Sequence, residues 1–340
     1  MKKLSVSPTL LDVASLAGVS PATVSRALNQ PEIVSARTLE RVQRAVRETG
    51  YEANEAARHL RRRRSDTLLV MVGEIPSRFI FRVLMAFEAK AAEDGYSLLI
   101  SSSAYHQERG QHYYSFIQKG LADGILTFGG SPGIISNLSR IDESLPIVSV
   151  NEFLAGKAIP FVSIDDLNAS RKVARHLVEL GHTSLGHVTG PPETSSGKMR
   201  LQGFCEELAV SGLKPDWISR QDYNLESGEQ AAREWLALSR RPTAVFCSCD
   251  EVALGFMATL HREGVRIPQE VSVVGFDDIP FAGCSYPKLT TIQQPHQSIA
   301  SAALQMILQR IQNDQAKVEN CFLPGTLVVR ESTAPPRGTT

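Results

Sequence analysis

The side chains best equipped for intermolecular chemistry lie at the start of the sequence. Thr9, Ser20, Thr23, Ser25 and Asn29 carry short hydroxyls or an amide in or beside short helices, and Arg26 stands one turn beyond Ala22. Such groups donate to phosphate oxygens, and the run Arg61-Arg62-Arg63-Arg64 adds cationic attraction nearby. At Thr9 and Ser20 helix capping alone is an equal reading, and the two roles are compatible. No nucleophile–base pair, catalytic carboxylate pair or Gly-x-Ser-x-Gly turn accompanies them, so the sequence argues against an enzyme.

These residues need elements to hold them. Thr9 is placed to cap a helix that carries Leu11, Ala14, Leu16 and Ala17 and ends at Gly18. After the turn Gly18-Val19-Ser20, a second helix starts with Ser20 as its cap and Pro21 at its first position, and turns Val24 and Leu28 inward. A third helix runs from Ser35 through Leu39, Val42 and Val46 to Gly50. Two short helices joined by a tight glycine turn, closed over by a third, form the helix-turn-helix pattern. The next segment, residues 54–60 (NEAARHL), is too short to be a stable isolated helix, so its order must come from binding.

Length and charge agree with a small head on a large body. The 340 residues, 42% of them apolar, call for two or three domains. Residues 1–64 hold 12 basic against 6 acidic side chains, so a chain of zero net charge has a basic head and an acidic remainder. That asymmetry directs a polyanion to the head alone. Five cysteines without disulfide spacing point to reduced thiols and a cytoplasmic protein. No apolar run long enough for a signal peptide or membrane span is present. Gly190 to Met199 only superficially resembles a phosphate loop, with six residues between its glycines and Met199 after Lys198. Cys247 and Cys249 lack further metal ligands at useful spacing, so neither metal nor cofactor is expected.

From Asp66 the pattern changes to strands alternating with helices. The first set comprises strands at 67–72, 97–101, 124–128 and 147–150, with helices at 79–95, near 107–119 and near 134–141. A second set comprises strands at 161–164, 183–189, 244–247 and 271–276, with helices at 169–180, 199–210, 226–238 and 251–263. Such units predict a bilobed α/β body of two doubly wound parallel sheets, with a ligand cleft at the carboxyl ends of the strands.

The motifs Thr9-Leu10-x-Asp12-Val13-Ala14, Gly18-Val19-Ser20, Thr23-Val24-Ser25-Arg26-x-Leu28-Asn29, Gly50-Tyr51 and Asn54…Ala57-Arg58-x-Leu60 resemble the LacI/GalR family of regulators. Gly190-Pro191, Arg200-Leu201-x-Gly203-Phe204, Val273-Val274-Gly275-Phe276-Asp277-Asp278 and Leu289-Thr290-Thr291-Ile292 continue the resemblance through almost the whole chain. It implies an N-terminal all-α helix-turn-helix domain (1–53), a hinge helix and basic linker (54–65), and a periplasmic-binding-protein-like body (66–340). Lobe 1 of that body would take residues 66–162 and 295–322, and lobe 2 residues 163–294 and 323–340.

The function implied is that of a homodimeric repressor of a pseudopalindromic operator, controlled by a small molecule in the cleft. Pro21 and Ala22 then occupy the specificity positions, where only apolar contacts are open to them, and Arg26 supplies hydrogen-bonded readout. Asn54, Ala57, Arg58 and Leu60 form the hinge, with Leu60 either wedged into the minor groove or packed on the body. Asn151, Ser196, Arg200 and Asp277 are implied effector contacts, Phe79 and Val162 apolar walls, and Cys249 fills a place often held by a polar ligand residue. Arg200 and Asp277 would bracket adjacent hydroxyls from opposite sides of the cleft, ahead of the alternative that they form an ion pair between the lobes. Val83, Leu84 and Phe87 are the expected dimer face. Asn151-Glu152-Phe153 is similar to the cytidine-responsive members, which sets a nucleoside beside a purine or a sugar as the effector implied. The body alone would also suit a periplasmic-type sugar- or nucleoside-binding protein, against which the N-terminal 64 residues argue.

Overall fold

The computed structural model describes residues 8–51, 64–72, 77–102, 116–128, 145–153, 159–313 and 316–337, and the chain divides into two compact units, residues 1–63 and 64–340. In the first unit, α1 (Leu10–Ala17) starts in a capping box: the Thr9 amide donates to the Asp12 carboxylate at 2.7 Å, and the Asp12 amide to Thr9 Oγ1 at 3.4 Å. It ends at Gly18, whose φ of +61° would strain a side-chain-bearing residue. α2 (Pro21–Asn29) is capped by Ser20, and α3 (Ala36–Thr49) by Ser35. Their shared core is made of small side chains, Val13, Ala14, Ala17, Val24, Ala27, Val42 and Ala45. Leu28, expected inside, is 36% exposed, because Val24 and Ala27 at i, i+3 take the inner stripe and push Leu28 to its edge. The Arg41 guanidinium donates to the carbonyls of Ala17 and Gly18 at 2.5 and 3.0 Å and thereby ties α3 to the turn.

The second unit is built on two parallel sheets. The first contains β1 (Thr67–Val72), β2 (Ser97–Ser102), β3 (Gly124–Phe128), β4 (Ile147–Val150), β5 (Phe161–Ile164) and β11 (Cys321–Leu323), in the order β11-β5-β4-β3-β1-β2. Strand alternation divides its core. Leu68, Val70 and Val72 face α4 (Arg78–Glu93) and α9 (His296–Gln312), whereas Leu69 and Met71 join Ile125 and Ile147 in the opposite layer. The second sheet orders β7 (Trp217–Arg220), β6 (Leu185–Thr189), β8 (Ala244–Cys247) and β9 (Ser272–Val274) as β7-β6-β8-β9. α5 (Asp166–Glu179) and α6 (Ser195–Val210) cover one face of it, and α7 (Leu225–Leu236) and α8 (Asp250–Arg262) the other. A separate antiparallel pair, β10 (Thr291–Gln293) with β12 (Thr326–Val328), packs Ile292 and Leu327 against the core of the second sheet.

Three placements differ from the sequence reading. β5 belongs wholly to the first sheet, paired with β4 and β11, so the first crossing between lobes follows Ile164 and not residue 162. α6 begins at Ser195, not Met199, because Thr194 Oγ1 accepts the Gly197 amide and starts the helix a turn earlier. β7, α9 and the strands after it were not foreseen; β7 is only partly buried and shows no clean alternation. Of the helices expected near 107–119 and 134–141, all but the last residues of the first lie outside the described residues.

Candidate functional site

The start of α2 is bare. Pro21, Ala22 and Arg26 are exposed, and Ser20 and Thr23 are bonded to each other through the cap, with the Thr23 amide donating to Ser20 Oγ at 3.1 Å. Asn29 turns back along the helix, its amide donating to the Ser25 carbonyl at 2.7 Å. Thr9 sits exposed in its own capping box. The expected hinge residues Asn54, Ala57, Arg58 and Leu60 lie outside the described residues.

In the second unit a cavity of about 1690 Å³ opens between the lobes. Phe79, Asn151, Ser196, Arg200, Cys249 and Asp277 all line it. Val162 does not: it is fully buried in the first lobe's core, because its partners Val150 and Cys321 in the neighbouring strands cover it on both sides. Each of the others stands where a strand or helix start delivers it. Asn151 follows β4 with φ +68° and Asp277 follows β9 with φ +121°, left-handed conformations that non-glycine residues adopt at a cost, and which aim side chains out of the strand direction. The Asn151 Oδ1 is buried and has no hydrogen-bond partner among the described residues. Cys249 caps α8, its sulfur accepting the Val252 amide at 3.5 Å, and burial pushes its thiol well above the usual range.

Arg200 and Asp277 were expected to face one another across the cleft; both belong to the second lobe. Arg200 is instead ion-paired with Asp166 at 2.7 Å, donates to the Ser248 carbonyl at 2.5 Å, and lies over the Phe276 ring at 3.8 Å. Asp277 accepts from the Gln294 amide at 2.6 Å. Burial pushes the Asp166 carboxyl up to about 6 and that of Asp277 up to about 7, with Arg200 pulling both down. Burial opposes the charge on Arg200 as well, but Asp166, Tyr223 and Asp277 around it keep its pKa above the ordinary value.

Two residues that matter here were not singled out from the sequence. Tyr223 lines the cleft with its hydroxyl 3.0 Å from Ser196 Oγ, its ring seated against Gly190, where an added Cβ would come within 2.2 Å of it. Glu152, from the loop after β4, reaches across to the first turn of α6. It accepts the Ser195 amide at 2.7 Å, the Ser196 amide at 3.4 Å and both serine hydroxyls. Its only sequence signal was its place beside Asn151; that of Tyr223 was a position shortly after a strand that went unrecognised.

Comparison with known proteins supports both halves of this arrangement. Residues 9–54 match the family model of bacterial regulatory proteins, lacI family, and residues 174–333 that of the periplasmic binding protein-like domain. The chain is 35% identical over 334 residues, 98% of each sequence, to the HTH-type transcriptional repressor CytR of Escherichia coli strain K12. The chain belongs to the LacI family of bacterial regulatory proteins. It is accordingly a DNA-binding transcriptional regulator and not an enzyme. It is also 32% identical, over 96% of this chain and 97% of the relative, to the repressor PurR of Salmonella paratyphi B. Among solved structures, the lac repressor dimer bound to operator and the anti-inducer ONPF is similar with a TM-score of 0.88, at 28% identity over 97% of this chain and all of that one. The CelR–cellobiose complex is similar with a TM-score of 0.73 at 28% identity, over 96% of this chain and 99% of that one. No helix among the described residues is long and apolar enough to cross a membrane.

Proposed function

We propose that this LacI-family chain is a repressor that binds a two-fold symmetric operator as a homodimer, with its affinity for DNA set by a nucleoside held in the interlobe cleft. The observation that carries the effector half is the convergence on one cavity of an unpartnered Asn151 amide oxygen, the carboxylate of Asp277 and the Phe79 and Tyr223 rings. Aromatic faces suit a base, a carboxylate accepts from ribose hydroxyls, and a primary amide both donates and accepts, as the edge of a pyrimidine does. The cellobiose complex of CelR, a similar structure, keeps a sugar as the competing reading.

For the DNA half, the bare start of α2 meets the major groove, where Arg26 reads a base edge and the hydroxyls of Thr9, Ser20, Thr23 and Ser25, with Asn29, set register on phosphates. Asn54, Ala57, Arg58 and Leu60 form the hinge that orders on DNA and wedges Leu60 into the minor groove. The residues first assigned to the dimer face, Val83, Leu84 and Phe87, are core. Phe81 and Met85 of α4, 57% and 54% exposed, and Ile100 of the edge strand β2, 56% exposed, replace them.

The test combines gel retardation of a two-fold symmetric duplex with calorimetric titration of cytidine, adenosine and pentoses into the full-length protein. Retardation at low salt together with cytidine binding supports the proposal. Absence of any retardation contradicts the DNA half; binding of a sugar but no nucleoside contradicts the effector half.

A further inference from the structure

We infer that Glu152 is a specificity-determining residue of the cleft, which admits a neutral nucleoside and refuses its phosphorylated counterpart; this rests on the nucleoside reading above. The first turn of α6 presents what an anionic ligand seeks, two consecutive backbone N–H groups and two hydroxyls at the positive end of a 16-residue helix. In this protein those donors are taken. The Glu152 carboxylate comes from the other lobe, is 6% exposed, and accepts all four of them, two by each oxygen. A phosphate arriving there meets a fixed negative charge and finds no free donor.

The cations of the cleft already have partners, although of these only Arg200 is matched by a carboxylate. Arg200 is matched by Asp166 and by the Ser248 carbonyl. Arg82 gives its Nη1 to the Asp278 carbonyl at 2.7 Å, and Arg78 lies over the Phe281 ring at 4.4 Å. Glu251, also in the lining, adds to the negative side. A neutral ligand loses nothing by this arrangement. Ser196 Oγ also meets the Tyr223 hydroxyl at 3.0 Å, so the carboxylate is linked to the ring that borders the ligand space, and a uniform loss of binding is not the expected result of neutralising it.

The experiment is calorimetric titration of cytidine and of cytidine 5′-monophosphate into the full-length wild type and into Glu152→Gln, an isostere that keeps an acceptor but removes the charge, with Glu152→Ala in parallel. In the wild type the monophosphate binds at least ~100-fold more weakly than cytidine, the scale expected when like charges are brought together out of water. In Glu152→Gln that ratio narrows by ~10-fold or more, chiefly through tighter monophosphate binding. Equal binding of the two ligands by the wild type overturns the inference whether or not the variants fold. Cytidine binding with an unchanged ratio in both folded variants also overturns it and leaves the nucleoside reading intact. Failure of the wild type to bind cytidine at all removes the nucleoside reading and this inference together.

Discussion

Two helix starts in this protein share a local design and differ in what meets them. α2 begins Ser20-Pro21-Ala22-Thr23 and α6 begins Thr194-Ser195-Ser196-Gly197; in each a hydroxyl accepts the amide three residues on. At α2 Pro21 and Ala22 of the first turn are exposed, and the side-chain hydrogen bonds there are those of the cap between Ser20 and Thr23. At α6 the first turn is buried and filled by the Glu152 carboxylate. At α6 the Ser195 and Ser196 amides serve an internal carboxylate, whereas at α2 Pro21 has no N–H to give and the proposed contacts to a polyanion fall to exposed side chains. What distinguishes them is burial and the sign of the surrounding charge, not the capping sequence.

The largest effect is expected behind the filled start. Asp166→Asn leaves the buried Arg200 guanidinium without its compensating charge, and loss of one partner of a buried pair costs about 3–5 kcal/mol. Chemical denaturation of the variant should show a midpoint lowered accordingly; an unchanged midpoint would mean that Ser248 and the Phe276 ring suffice. At the bare start, Arg26→Ala should weaken operator binding by about 1–3 kcal/mol and relax preference at one base position, while binding to unrelated duplex changes little. Retardation assays against operator and random duplex distinguish this from a general loss.

A third expected effect concerns pH. The folded state holds the Asp277 proton up to about pH 7 because of burial, against about 3.9 for a carboxyl in an unfolded chain. Stability from this proton is complete below the unfolded value and is lost as pH rises through the folded one. Asp250, buried beside it and also shifted upward, acts in the same direction. Asp277→Asn should therefore melt higher relative to wild type at pH 8 than at pH 4, and a gap independent of pH would break the argument. The smallest effect is Ser20→Ala, which removes one cap for about 1 kcal/mol of stability in the first unit. Proteolysis or melting of the isolated first unit against the same change at Thr194 would sharpen the contrast between an exposed and a buried cap.

Local features were legible from sequence because they are local. Caps at Thr9, Ser20 and Ser35, the left-handed Gly18 and the alternation of strands with helices each depend on neighbours within a few residues. Asn151, Ser196, Cys249 and Asp277 were placed at the cleft by the family resemblance, and all four line it. What could not be read was side-chain partnership at long range. Val162 becomes core only because β5 is inserted between β4 and β11, the last of which lies some 160 residues away. Arg200 pairs with Asp166 rather than Asp277 because α5 and α6 pack side by side. Glu152 finds its serines 43 and 44 residues downstream, across the gap between two sheets, and no periodicity in either segment encodes that approach.

The central claim is that occupancy of the cleft governs the DNA-reading head. The direct measurement is a titration of the full-length protein onto a labelled two-fold symmetric operator, by fluorescence anisotropy at fixed salt, with and without saturating cytidine. The account predicts that cytidine changes the operator Kd by ~5–150-fold, the usual range of coupling between linked sites, and that Asp277→Ala abolishes the change without altering DNA binding in the absence of cytidine. Cytidine that binds the cleft by calorimetry yet leaves the operator Kd unchanged would contradict it.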